Sequence, residues 1–161
     1  MSTKRIATDG LLLALALILS FIDSMIPMPI PVAGIKLGLA NLAVIYGLYR
    51  LGAGDAVVIS IARVILSGLM FAGMSGILYS LAGAALSLTV MCLMHRFTDY
   101  HLIPVSVCGS LAHIAGQLVV AAAMTSIGVI TYYAPILLIS AFIAGIVIGG
   151  LGSALLKVIK E

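Results

Sequence analysis

Apolar residues run along this chain in long blocks, separated by short polar or glycine- and proline-rich intervals. Six blocks stand out: Thr8–Ile26, Leu37–Leu51, Ala53–Ala72, Ser75–Phe97, Leu102–Met124 and Ala134–Ile159. A helix that crosses a bilayer needs about 20 predominantly apolar residues. The pattern therefore predicts an all-α bundle of six transmembrane helices, with the second the shortest. Pro27, Pro29, Pro31 and Gly34 end the first block, because proline cannot donate to a helix ladder. Gly52-Ala53-Gly54-Asp55 reads as a tight turn, with Asp55 an N-cap candidate for the third helix. Gly73-Met74-Ser75, Thr98–His101 and Thr125–Tyr133 supply the remaining breaks, and Pro135 falls near the start of the sixth helix.

Composition sharpens this reading. Hydrophobic residues make up 63% of the 161, and charged residues only 8%. A soluble domain carries roughly 25% charged residues, so a water-soluble fold is excluded, as is disorder. Six helices use about 120 residues and leave no room for a soluble domain. Residues 1–161 form one transmembrane domain. The start, Met-Ser-Thr-Lys-Arg followed by Gly10–Phe21, imitates a signal peptide. Phe21-Ile22-Asp23-Ser24 offers no small-residue cleavage site, so it reads as a retained first span. Cys92 and Cys108 share no ligand spacing and read as small buried hydrophobes.

The basic residues set an orientation. With the N-terminus in the cytoplasm, Lys4, Arg5, Arg50, Arg96, Lys157 and Lys160 lie on one side and Lys36 alone on the other. That positive-inside bias requires an even number of spans, with both termini cytoplasmic. The net charge of +3 forms no patch that would suit nucleic acid.

Polar residues inside apolar helices are costly unless paired or wet. Arg63 lies mid-span, with Ser60 and Ser67 on its helix face. It either holds buried carbonyls or an acid structurally, or binds a ligand. Ser106, Ser110, His113 and Gln117 step by 4, 3 and 4 along one face of the fifth helix. That stripe suits a cavity wall or a satisfied core. Asp23, Lys36, Asn41, Tyr79 and Ser80 fall at the outer ends of their helices, at about the depth of Gln117, with Arg63 and His113 nearer the midplane. Together these predict a pocket open to the outside with a cationic floor, suited to a small molecule with an anionic or hydrogen-bonding group. Lys36 alone suits snorkelling to headgroups. Asp23 suits a cap or an ion pair with Lys36.

Small residues recur at helical spacing. Ala141, Gly145, Gly149 and Ser153 form a ladder on the sixth helix, and Gly10 with Ala14 a shorter one on the first. Such ladders let helices approach closely, either within the bundle or against a partner subunit. Catalytic signals are absent. The chain has no phosphate-binding glycine loop with lysine and no His-Glu-x-x-His. Its aspartates, at 9, 23, 55 and 99, are too scattered to hold Mg²⁺. No catalytic residue, metal site or cofactor is expected.

Several stretches carry a resemblance. Gly34-Ile35-Lys36-Leu37-Gly38-Leu39-Ala40-Asn41-Leu42, after the proline-rich loop, resembles the bacterial Gx transporter family. Arg63, Tyr79-Ser80-Leu81-Ala82-Gly83 and Ala112-His113-Ile114-Ala115-Gly116-Gln117 match the same pattern, over nearly the whole chain. Members often carry the label heptaprenyl diphosphate synthase component I. The family is similar in architecture to the substrate-binding S components of energy-coupling factor (ECF) transporters. The resemblance implies a bacterial cytoplasmic-membrane protein that captures a vitamin-, cofactor- or isoprenoid-like molecule from outside. It also implies docking on an ECF transmembrane subunit served by ATPases. S components usually dock through Ala-x-x-x-Ala on the first helix, and Gly10-x-x-x-Ala14 is a loose match. The label implies an alternative, a non-catalytic membrane subunit accessory to a polyprenyl diphosphate synthase. Prenyl synthases hold magnesium and diphosphate with aspartate-rich motifs, which this chain lacks.

Overall fold

A computed structural model describes residues 3–26, 38–97, 101–124 and 127–158. The described residues form six α-helices and one π-helical segment, with no strand among them. They are α1 (Thr3–Met25), α2 (Asn41–Arg50), α3 (Ala53–Ser67), the π segment Gly68–Ala72, α4 (Gly73–Phe97), α5 (Leu102–Met124) and α6 (Ile127–Val158). Four stretches are long and apolar enough to cross a membrane: Arg5–Met25, Ala53–Phe97, Leu102–Met124 and Ile130–Val158. Large apolar side chains lie exposed along them, among them Leu11, Ile18, Leu69, Met70, Ile139 and Ile143. An apolar belt of that extent belongs in lipid. The chain is a multi-pass membrane protein.

The 45-residue stretch Ala53–Phe97 is not one straight rod. Gly73 takes φ 71°, a left-handed conformation open mainly to glycine. Beyond it α4 folds back on α3, so Gly68 lies directly under Ile77. Val57 and Ile61 of α3 line one cavity with Leu81, Ala84 and Leu88 of α4. The ten-residue α2 is about 15 Å long at 1.5 Å per residue, half the hydrocarbon thickness.

Two sequence expectations change. Asp55 is not the N-cap of α3: Gly52 holds that position at φ 107°, and Asp55 sits in the first turn. There it accepts Arg5 Nε at 2.8 Å, tying the start of α1 to the start of α3. The Thr125–Tyr133 interval is helical from Ile127, and Pro135 lies inside α6 rather than near its start. Thr131 Oγ1 donates back to the Ile127 carbonyl at 2.9 Å within this first stretch.

Packing is tightest among the last three helices, where α5 lies along both α4 and α6. Glycines make this possible. A Cβ on Gly116 would come within 2.5 Å of the Ala82 carbonyl oxygen of α4. On Gly145 it would meet Val107 Cα of α5 at 2.7 Å, and on Gly149 Ile103 Cα at 2.8 Å. The largest apolar core joins Val44, Ile45 and Leu48 of α2 to Leu88 and Met91, Leu102 and Val105, and Ile148. It gathers toward the end of the bundle that carries Arg50 and Arg96. Leu12, Tyr46 and Ile59 form a smaller core between α1, α2 and α3.

Candidate functional site

Away from that apolar end, buried polar side chains from four helices and one turn converge. The last turns of α1 supply Ser20 and Asp23, both buried and three residues apart on one face. Asp23 Oδ2 accepts the backbone N–H of Gly38 at 2.8 Å and of Leu39 at 3.3 Å. Gly38 has φ 84°, and its carbonyl accepts the Asn41 N–H at 2.9 Å. Asp23 therefore caps the turn that launches α2 rather than its own helix. Lys36, the partner considered from sequence, lies outside the described residues.

Gly38 connects this turn to the far side of the cluster. A Cβ there would lie 3.4 Å from the Asn41 amide nitrogen and 3.8 Å from His113 Cδ2. Asn41 and His113 are both buried.

Arg63 is 5% exposed and shares its buried face of α3 with Ser60 and Ser67. Nη1 donates to Ser20 Oγ over a long 3.4 Å. Nε and Nη2 have no hydrogen-bond partner among the described residues. The Asp23 carboxylate lies close enough to act on the guanidinium electrostatically. Burying N–H groups of a cation without acceptors is costly, about 1–3 kcal/mol for an ordinary group and more for a charged one.

All four members of the α5 stripe, Ser106, Ser110, His113 and Gln117, are buried. Gln117 Nε2 lies 3.3 Å from His113 Nε2. With the amide donating, the ring is neutral and its proton sits on Nδ1. The ring rests on α4 at Gly83, where a Cβ would approach Nδ1 to 3.0 Å. Any side chain at 83 would push the imidazole away. Gln117 Oε1 has no partner among the described residues, although the residue is fully buried. Tyr79 is buried one turn before Gly83 on the same face of α4.

Arg63, Asp23, Asn41, His113 and Gln117 thus belong to one polar cluster, with Tyr79 beside it on α4. Ser20, Gly38 and Gly83 take part in it without having been assigned a role from sequence. Ser20 could have been found from its spacing to Asp23. The part played by the glycines depends on which helices touch, which periodicity does not reveal. Among the described residues no three His, Cys, Asp or Glu side chains stand together as a metal site.

The two small-residue ladders meet different fates. Ala141, Gly145 and Gly149 are buried, with both glycines against α5, so the sixth-helix ladder is taken up inside the bundle. Gly10 has nothing within 4 Å of a Cβ placed on it, and Ala14 is exposed one turn on.

Comparison with known proteins places the chain in context. The family described as heptaprenyl diphosphate synthase component I matches residues 12–155. No curated protein and no solved structure matches the chain.

Proposed function

The chain belongs to the heptaprenyl diphosphate synthase component I family, and from that premise we propose that it is a non-catalytic, S-component-like membrane protein that binds a small molecule for uptake. In this reading it crosses the bacterial cytoplasmic membrane six times, with both termini inside. α3 and α4 cross separately because the chain reverses at Gly73. The short α2 counts as the second of the six. The ligand enters from outside and meets Arg63, His113 and Gln117, with Asn41 and Tyr79 orienting it. Asp23 lies at the entrance, and Lys36 is the further ligand contact that the sequence proposes. The exposed Gly10 and Ala14 face of α1 docks a transmembrane partner coupled to ATPases.

One observation carries the ligand-binding part. Arg63 is buried with Nε and Nη2 unpartnered among the described residues, and the buried Gln117 Oε1 of the same polar cluster is likewise unpartnered among them. A purely structural arginine would have its donors matched. The test is native mass spectrometry of the full chain extracted mildly from its membrane. A small molecule should be retained, and Arg63→Ala should lose it. Charge-assisted bonds contribute about 1.5–3 kcal/mol each, so affinity should fall about tenfold to hundredfold per bond. Melting in detergent should stay near normal. A variant that melts early and still binds would make Arg63 structural. A reporter fused after Glu161 tests the crossings: activity outside the cytoplasm would rule out six.

The family's description favours a second reading, in which the chain is an accessory membrane subunit of a polyprenyl diphosphate synthase. Co-purification of a soluble prenyl synthase, lost on Gly10→Leu or Ala14→Leu, would support it over uptake.

A further inference from the structure

Far from the polar cluster, a cavity of about 270 Å³ lies where α1, α2 and α6 come together, and its lining includes Thr8, Leu11, Leu15, Leu42, Tyr46 and Leu155. Leu11 and Leu15 are also exposed, so the cavity opens sideways to lipid. We infer that it holds one acyl chain of an anionic phospholipid, whose phosphate meets Arg5 and Arg50. This site is separate from Arg63 and does not depend on a ligand there.

The cavity walls carry the polarity gradient of a lipid. Leu15, Leu11, Thr8 and Arg5 follow one another at steps of 4, 3 and 3 along α1, so they form one row. Leu42, Tyr46 and Arg50 form a second row at steps of 4 along α2. The two arginines lie at the same end, since Arg5 Nη2 donates at 3.4 Å to the carbonyl of Leu51, the residue after Arg50. Both rows therefore pass from leucine through a hydroxyl-bearing residue to arginine in the same direction. At about 1.5 Å per residue, Thr8 to Leu15 covers about 10 Å. That reaches into a single leaflet of a hydrocarbon core about 30 Å thick.

Width and charge select the occupant. Over that length the cavity is about 27 Å² in section, against about 80–110 Å² for a helix about 10–12 Å across. A partner helix is too wide for it, and a single hydrocarbon chain is not. Arg5 and Arg50 are both exposed, although Asp55 already accepts from Arg5 Nε. Tyr49 stacks on His95 and Leu155 packs by Tyr46, which brings the ends of α4 and α6 to the same end of the bundle. There Arg5, Arg50, Arg96 and Lys157 outnumber Asp9 and Asp55 among the described side chains. Basic pockets between membrane helices favour anionic headgroups.

The experiment titrates dioleoyl phosphatidylglycerol and dioleoyl phosphatidylcholine separately into the full chain, delipidated in detergent, and counts bound lipid by native mass spectrometry. One phosphatidylglycerol should bind about tenfold more tightly than phosphatidylcholine, the effect of one charge-assisted bond. Rising salt should shrink that preference. Arg50→Gln should remove most of it. Arg96→Gln removes the same charge away from the cavity and should leave the preference nearly intact. Leu15→Trp and Leu42→Trp, one from each wall, should weaken both lipids alike. Equal binding of the two lipids by the unaltered chain would overturn the site, and that comparison needs no variant to fold. A preference lost equally on Arg96→Gln would replace the site with diffuse surface charge. Undiminished binding in both tryptophan variants would take the acyl chain out of the cavity.

Discussion

The two halves of this bundle are held together by different physics. In α4, α5 and α6, backbones approach until a single added Cβ would collide with a neighbouring main chain, as at Gly116, Gly145 and Gly149. In α1, α2 and α3, side chains bridge the helices: Arg5 to Asp55, Arg63 to Ser20, and Asp23 to the turn at Gly38 and Leu39. Lipid offers no hydrophobic driving force between helices, so close packing and interhelical hydrogen bonds must supply it. One half uses mainly the first and the other relies more on the second. The polar cluster sits where they meet, with Arg63 and Asp23 from the bridged half and His113 and Gln117 from the packed half.

The largest effect should come from the packed half. Gly145→Val or Gly116→Val puts carbon against backbone that cannot rotate away. Destabilisation should reach or exceed the upper end of the roughly 1–3 kcal/mol typical of overpacking, read as a large fall in detergent melting temperature. The same substitution at Gly10 meets open space. It should stay within about 0.5 kcal/mol. Equal losses at the two positions would erase the contrast between internal and free ladders.

An intermediate effect is expected at the seam. Asp23→Ala removes the acceptor of two backbone N–H groups and should cost about 1.5–3 kcal/mol. Amide exchange near Gly38 and Leu39 should rise while α5 and α6 remain protected. Exchange that rises uniformly would mean the halves do not respond separately.

The smallest effect belongs to the rim. Arg5 Nη2 lies 2.6 Å from Asp55 Oδ2, but the arginine is 46% exposed. Exposed pairs contribute about 0.2–1 kcal/mol and are screened by salt. Asp55→Asn should therefore shift melting slightly at low ionic strength and scarcely at high. A loss as large as that at Gly145 would show the bridged half to depend on this pair.

Much of the helical layout could be read in advance. The fifth block coincides with α5, and the third with α3 plus the π segment. The stripe Ser106–Ser110–His113–Gln117 could also be read as one face, because i, i+3 and i+4 neighbours share a face in any helix. The start of α6 could not. Thr131 and the adjacent Tyr132 and Tyr133 look like a polar break, yet Thr131 satisfies its hydroxyl on the helix's own carbonyls and the helix continues through them.

The solvent, the helices and the faces on which polar atoms fall were legible in the sequence alone, since these depend on composition and on a local period of 3.6 residues. Which faces meet was set by packing. In water, an apolar face marks the core. In a bilayer, lipid and protein interior are equally apolar, so hydrophobicity no longer tells inside from outside. Gly10 and Gly145 look alike in the sequence; one faces outward and the other lies against α5 because helix contacts, not residue type, assign them. For the same reason Arg63 could be identified as a buried cation from its place in the chain. Which of its N–H groups Ser20 would engage, and which edge would remain open, depended on the approach of α1 to α3.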